Sequence, residues 1–292
     1  MNDFEQKYEY VKHDPISSGS YGNIYRIRDK KVKTEYVLKK LRKEDPQKPN
    51  KRGTTDENTF RNEINFLINV KGTNLVNIVD YYDKIDEEFY YIILEKMDND
   101  LTTMLEENKK GMCSRLIRKI FSQINSGLKI MIDKGKVHRD LKPENILFSY
   151  INNKKTDFLV KICDFGLTTD LTGTITASDA GTDLFKAPEI EEGKYSNKCD
   201  LYSIGIILYL LKTGECIFEG KNKGENLVNK FNNKIKKKTD DILLNNLIKK
   251  LVVINPHERM EWNDYFEDPF FKVNDEDVKE SEECKINIKY NR

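Results

Sequence analysis

This 292-residue chain has no excess of charge of either sign, no closely paired cysteines and no long apolar run. Each absence removes a class of function. Lys and Arg number 50 against 49 Asp and Glu, so no global field draws the molecule toward nucleic acid or an anionic membrane surface. The five cysteines, at 113, 163, 199, 216 and 284, are odd in number, widely spaced and without a C-x-x-C pair. That pattern fits free thiols in a reducing compartment better than a disulfide framework or a zinc site. The N-terminus is charged and carries no apolar signal core, and the longest apolar run, around Ile204 to Leu211, is too short to span a bilayer. The expectation is a soluble cytoplasmic or nuclear protein with no nucleic-acid partner and no membrane span. What is present is core material: 38% hydrophobic residues, with 15 Tyr and 14 Phe, beside 34% charged residues. This composition supports two packed lobes or one large domain and is not that of a disordered chain.

Along the chain, Tyr8 to Leu41 alternates Tyr, Val and Ile with polar residues, broken by a Gly-Ser stretch, and reads as strands. Residues 42 to 58 hold two prolines and a glycine with few apolar groups and read as a loop. From Thr59 to Val70, Phe60, Ile64, Leu67 and Ile68 recur at helical spacing. Two strand-like runs follow, Leu75 to Tyr82 and Phe89 to Leu94. After Asp98 the character changes, with helical periodicity over 101–108, 114–134, 198–212 and 241–254. The reading is an α+β chain: a small β-rich lobe over residues 1–97, a larger helical lobe over 98–273, and a polar, acidic tail over 274–292 that is expected to be mobile.

Several short stretches carry chemistry. In Ile16-Ser-Ser-Gly-Ser-Tyr-Gly-Asn-Ile-Tyr25, Gly19 and Gly22 would let a hairpin bring backbone N–H groups close to a phosphate, although a plain turn is the commoner use of such residues. Lys39 ends the apolar strand Tyr36-Val-Leu-Lys39, and Glu63 on the next helix is a carboxylate able to hold its ammonium. His138-Arg-Asp-Leu-Lys-Pro-Glu-Asn145 places a carboxylate, an ammonium and a carboxamide (Asp140, Lys142 and Asn145) around a stiff proline among apolar residues. In Lys161-Ile-Cys-Asp-Phe-Gly166, Asp164 can reach a metal while Phe165 anchors the turn. Taken singly, each has a bland explanation as a surface turn or a solvated charge.

Order and spacing decide between them. Glycine loop, Lys39, Glu63, Asp140 with Asn145, Asp164, and Ala187-Pro-Glu189 follow one another in the sequence of the protein kinase signature set. Over about residues 8 to 272 the chain resembles the eukaryotic protein kinase family, which implies a two-lobed fold with ATP and Mg²⁺ bound in the cleft. The resemblance places Gly19 and Gly22 over the phosphates and gives Lys39, paired with Glu63, the α- and β-phosphates. Asp140 accepts or orients the proton of the substrate hydroxyl, Lys142 neutralises the γ-phosphate, and Asn145 and Asp164 hold the metal ions. Ile16, Ile24, Val37, Leu147 and Cys163 would line the adenine site, the backbone of Glu95 and Met97 would meet the adenine edge, and Asp100 would reach the ribose. Glu189 would pair with Arg259, and Asp200 would brace the catalytic loop.

The resemblance also implies specificity and control. Lys142 and Thr182 match the serine/threonine form, with Phe185 where a tyrosine is more usual. Ser17 replaces a loop glycine, Val37 an alanine and Tyr202 a tryptophan. Arg139, just before Asp140, implies an activating phosphate on the segment from Asp164 to Glu189, with Ser178 the best-placed acceptor and Thr176 and Thr174 behind it. An upstream kinase or trans-autophosphorylation would supply that phosphate, and Ser/Thr proteins would be the substrates. The ending, Arg259 to Phe271, resembles the autophagy-initiating or calcium/calmodulin-type kinases. The rival reading is a pseudokinase scaffold that binds nucleotide or partners without turnover. The complete set of Lys39, Glu63, Asp140, Asn145 and Asp164 argues against it.

Overall fold

In a computed structural model of the chain, the structure describes residues 2–18, 22–45, 47, 53–151, 157–170, 173–174, 184–191, 194–218, 225, 229–230 and 238–273. Gly19, Ser178, Thr182, Thr176 and the 274–292 segment named above lie outside the described residues. The chain divides into two compact units. The first comprises Met1–Met97 with Asp164–Thr168, the second Asp98–Cys163 with Thr169–Arg292.

The first unit opens with a short helix, α1 (Asp3–Lys7), which the sequence reading did not anticipate. It has a single apolar residue, Phe4, too little to register as periodicity. Asn2 and Glu5 form a reciprocal capping box at its start. Phe4 is buried against the rings of Tyr8, Tyr82 and Tyr91, with centroids 5.6, 5.9 and 5.1 Å away. The strands β1 (Tyr8–Tyr10), β2 (Ser17–Ser18), β3 (Gly22–Asp29), β4 (Glu35–Arg42), β5 (Ile78–Tyr82) and β6 (Phe89–Glu95) form one antiparallel sheet in the order β1-β3-β4-β6-β5, with β2 paired to β3. Alternation along β3 and β4 buries Ile27 and Leu38 completely.

Gly22 opens β3 opposite Leu41, and a Cβ there would lie 2.2 Å from the Lys40 carbonyl oxygen. Close backbone approach alone therefore demands glycine at this position. The helix α2 (Glu57–Asn69) begins two residues before the first expected residue, because Asp56 caps it by accepting a hydrogen bond from the Thr59 N–H at 3.0 Å. Its buried face is Phe60, Glu63, Ile64, Phe66 and Leu67. Ile68, read as part of that face, is instead 44% exposed, and Phe66 takes the inward position.

The second unit is mainly helical. A two-residue strand, β7 (Asn99–Asp100), leads into α3 (Leu101–Glu107), and α4 (Ser114–Asp133) follows. Cys113 caps α4, its sulfur accepting from the Leu116 N–H at 3.5 Å. Cys163, Cys199 and Cys216 are free thiols, in line with the expectation. Next come β8 (Lys136–Val137), a 3-10 turn at Pro143–Asn145, and the hairpin β9 (Ile146–Tyr150) and β10 (Phe158–Ile162), with β7 on the other side of β9. Three further short strands are β11 (Thr169–Asp170), β12 (Gly173–Thr174) and β13 (Lys194–Tyr195), and α5 (Pro188–Glu191) lies between the last two. The helices α6 (Cys199–Thr213), α7 (Ile242–Leu251) and α8 (Trp262–Phe266) follow, with a 3-10 turn at Pro269–Lys272 after them. No helix among the described residues is long and apolar enough to cross a membrane.

Helix α6 is apolar on nearly every face and is buried along most of its length. At its middle, a Cβ on Gly205 would lie 2.7 Å from Val252 Cγ2 and 2.9 Å from Leu251 Cβ. Gly205→Ala should therefore lower the melting temperature, since overpacking of about 1–3 kcal/mol exceeds the roughly 1 kcal/mol that alanine returns in helix propensity. An equal or higher melting temperature in a thermal scan would show that the α6–α7 contact can open at no cost.

Candidate active site

In the first unit, β4 presents Lys39, and the antiparallel register sets Ile24 directly opposite it on β3. Val37, two residues earlier on β4, shares that face of the sheet. The Lys39 ammonium meets two carboxylates, Glu63 Oε1 on α2 at 2.6 Å and Asp164 Oδ1 at 2.7 Å. Burial would push the ammonium down, but the charges and hydrogen bonds of Asp164 and Glu63 outweigh it and raise Lys39 above its ordinary value. Glu63 is almost fully buried, whereas the Asp164 carboxylate is nearly half exposed.

Asp164 adopts a φ of +64°, in the left-handed region that side chains rarely occupy. Two neighbours hold it there. Phe165 is buried, with its ring 4.5 Å from that of Phe66 on α2. Gly166 leaves room, since a Cβ would come within 3.3 Å of Glu63 Oε2 and 3.6 Å of Lys39 Nζ.

Elsewhere in this unit Ile16 stands exposed before β2. Glu95 ends β6 in a closed exchange with Asn77. The Asn77 backbone and side-chain N–H groups donate to Glu95 Oε1 at 2.7 and 2.9 Å, and the Glu95 N–H donates to the Asn77 carbonyl at 3.1 Å. Met97 is the last residue of this unit before the chain passes into the second.

In the second unit, the loop between β8 and β9 is built around the buried carboxylate of Asp200, at the start of α6. Its oxygens accept from the backbone N–H groups of His138 and Arg139 at 2.7 and 2.8 Å. Burial pushes the Asp200 carboxyl up, opposed by His138 and by these two N–H donors. Arg139 has a φ of +68°, so the two donors also hold a strained turn. The Asp140 N–H donates to His138 Nδ1 at 3.3 Å, which leaves the ring proton on Nε2 to donate to the Cys163 carbonyl at 2.9 Å.

The Asp140 side chain then faces three groups. Lys142 Nζ lies 2.7 Å from Oδ2, and Asn145 Nδ2 lies 3.1 Å from the same oxygen while also donating to the Asp140 carbonyl at 2.8 Å. Lys186 Nζ lies 3.9 Å from the other oxygen, Oδ1. Because both amide contacts use Nδ2, Asn145 Oδ1 is left as the ligating atom of its carboxamide.

Around this loop, Leu147 pairs with Asp100 on β7 and with Lys161 on β10. The Asp100 carboxylate caps α3, accepting from the Thr103 N–H at 3.1 Å and from the Thr102 hydroxyl. Cys163 is half-buried after β10. Glu189 on α5 meets Arg259 in a fork of 2.7 and 3.0 Å. The Arg259 side chain is fully buried and also donates to the carbonyls of Lys198 and Val253, each at 2.8 Å. Its guanidinium sits 5.2 Å from the Tyr202 ring centroid.

Sequence reasoning missed four residues of this framework. Asn77 and His138 act through hydrogen bonds that only the fold reveals. Lys198 donates to the Arg259 carbonyl at 2.8 Å from a position that reads as ordinary surface. Lys186 stands directly before Ala187-Pro-Glu189, and its signal was that adjacency.

The comparisons with known proteins agree on one family. The protein kinase domain model matches residues 10–271. The chain is 32% identical over 226 residues to calcium-dependent protein kinase 4 of Plasmodium falciparum, covering 75% of this chain and 40% of that protein. It is 30% identical over 293 residues to the DNA damage response protein kinase DUN1 of Saccharomyces cerevisiae, covering 90% of this chain and 55% of that protein. A third relative, calcium-dependent protein kinase 3 of Plasmodium berghei, is 28% identical over 275 residues, covering 90% of this chain and 46% of that protein. The chain thus spans about half the length of the curated relatives it matches. With nearly its whole length matched to the kinase domain, the chain belongs to the protein kinase family.

Proposed function

We propose that this chain is an ATP- and Mg²⁺-dependent protein serine/threonine kinase, active in the cytoplasm or nucleus. The observation that carries this reading is the Asp140 carboxylate, oriented by Lys142 and Asn145 on a loop whose backbone Asp200 braces. In phosphoryl transfer there is little covalent chemistry for a protein to do, so positioning and charge account for most of the acceleration.

In the first unit, Lys39 holds the α- and β-phosphates and Glu63 holds Lys39. Gly19 and Gly22 cover the phosphates, Ile16, Ile24 and Val37 contact the adenine, and the backbone of Glu95 and Met97 meets its edge. In the second unit, Asp140 takes the proton of the acceptor hydroxyl and Lys142 offsets charge on the γ-phosphate. Leu147 and Cys163 meet the adenine and Asp100 the ribose. The exposed Asp164 carboxylate and the Asn145 carboxamide oxygen are hard donors of the kind Mg²⁺ takes. Held by either donor, a metal ion would neutralise phosphate charge. Arg139 calls for a phosphate on the segment before Glu189, for which Ser178 is the proposed acceptor and an upstream kinase or a second copy the donor. Thr182, with Lys142, supports the serine/threonine preference.

Incubation with γ-labelled ATP and dephosphorylated casein should place label on serine and threonine, and chelation of divalent cations should abolish it. Label on tyrosine alone would refute the substrate class. No label on casein or on the chain itself would refute the kinase reading.

A further inference from the structure

Lys186 has no part in the reading above, yet its ammonium points at the reacting carboxylate. Its side chain is 12% exposed, and among the described residues its ammonium pairs with Asp140 Oδ1 at 3.9 Å. That is an ion pair but too long for a hydrogen bond. A largely buried ammonium with three N–H donors is costly unless acceptors surround it. Lys142 and Asn145 both engage Oδ2, whereas among the described residues Oδ1 has only the long contact to Lys186.

The gap between Lys186 Nζ and Oδ1 suits one kind of atom. An oxygen at a hydrogen-bond distance of about 2.8 Å from both fits at the apex of the pair. It must accept from the ammonium and donate to the carboxylate. A carboxylate or phosphate cannot donate, an ammonium cannot accept, and the oxygen of a hydroxyl or a water does both.

Lys186 is also held in place from both sides. The Phe185 carbonyl accepts from the Ser203 hydroxyl at 2.8 Å, Ala187 is fully buried, and Glu189 is forked to Arg259. The backbone that carries Lys186 is therefore fixed on both flanks before any substrate arrives.

We propose that Lys186 is a second ammonium of the reacting centre, donating to the oxygen of the acceptor hydroxyl that Asp140 Oδ1 deprotonates. The inference rests on the kinase reading. In the step, the hydroxyl proton passes to Asp140 Oδ1 and the hydroxyl oxygen forms its bond to the γ-phosphorus. The bond from that phosphorus to the β–γ bridging oxygen breaks, and its electron pair leaves on ADP. Lys186 remains an ammonium throughout and offsets the negative charge that grows on the acceptor oxygen.

The test compares the wild-type chain with Lys186→Met, Lys186→Arg and Asp140→Asn, measuring kcat and KM for a serine peptide and the affinity for ATP. Lys186→Met should lose about 10- to 100-fold in kcat, the scale of one preorganised donor, with ATP affinity within about 2-fold. Lys186→Arg, which keeps the charge and the donors, should regain most of that loss. A kcat for Lys186→Met within 2-fold of wild type, beside an inactive Asp140→Asn, would overturn the inference and leave the kinase reading standing. A rate for Asp140→Asn within tenfold of wild type would mean that Asp140 is not the base and would overturn the inference with it, whereas no transfer by the wild-type chain would overturn the kinase reading itself. If Lys186→Met loses ATP binding, Lys186→Gln replaces it. Loss of ATP binding in both, or no recovery in Lys186→Arg, would make Lys186 a residue of the fold and overturn the inference.

Discussion

Replacing Asp140 with asparagine is expected to lower phosphoryl transfer about 10³-fold while leaving nucleotide affinity nearly unchanged. The two side chains are the same size, so the 3-10 turn and the Asp200 brace keep their contacts. What disappears is the carboxylate proposed to take the acceptor proton, a contribution of typically 10²–10⁴. Two ammonium groups, Lys142 and Lys186, also lose their shared counter-charge, and the amide oxygen that replaces it carries no charge. Single-turnover transfer from labelled ATP to a serine peptide separates this loss from slow product release. A residual rate within tenfold of wild type would mean that Asp140 is not the base.

The largest expected effect on stability belongs to Arg259. Its guanidinium is fully buried, forks to Glu189 and donates to two backbone carbonyls. Arg259→Ala removes one partner of a buried ion pair and leaves the Glu189 carboxylate and those carbonyls without their donor. Breaking such a pair costs about 3–5 kcal/mol, a large share of the roughly 5–15 kcal/mol that holds a typical domain together. Arg259→Lys would keep the charge but not the fork, because an ammonium cannot match both carboxylate oxygens in one plane. Urea unfolding followed by far-ultraviolet circular dichroism should show a markedly lower midpoint for Arg259→Ala. A loss below about 1 kcal/mol would mean that the unit repacks around the gap.

The parts of this molecule that could be read in the sequence are those where residue type and local period carry the information. α4 announces itself through apolar spacing, α6 through a nearly unbroken apolar run, and the Asp140 loop through a rare combination of polar groups around a proline. The misses have physical causes. α1 has one apolar residue in five, and its stability comes from rings on other strands. α2 starts at a cap, not at its first apolar residue, and Phe66 displaces Ile68 from the inward face because Phe165, about a hundred positions later, is waiting for it. Gly22 was read as a phosphate residue, yet the Lys40 carbonyl requires a glycine there with or without a ligand. Asp100 was read as a ribose contact, and the structure gives its carboxylate a second task at the cap of α3. Lys186 was passed over despite its place beside Ala187-Pro-Glu189, because a lysine there looks solvated until the fold turns it inward.

The division of the chain into units has a consequence for how it is made. The first unit is not one continuous stretch, since it includes Asp164–Thr168 as well as Met1–Met97. When residue 97 leaves the ribosome, Lys39 still lacks one of its two counter-ions and Phe66 still lacks the ring it packs on. The missing segment starts 67 positions later (164 − 97), which at ordinary synthesis rates is roughly 3–13 s. For that interval the nascent sheet and α2 carry an ammonium with only Glu63 to meet it and an unfilled place at Phe66. This unit can reach its final packing only after most of the chain has been translated.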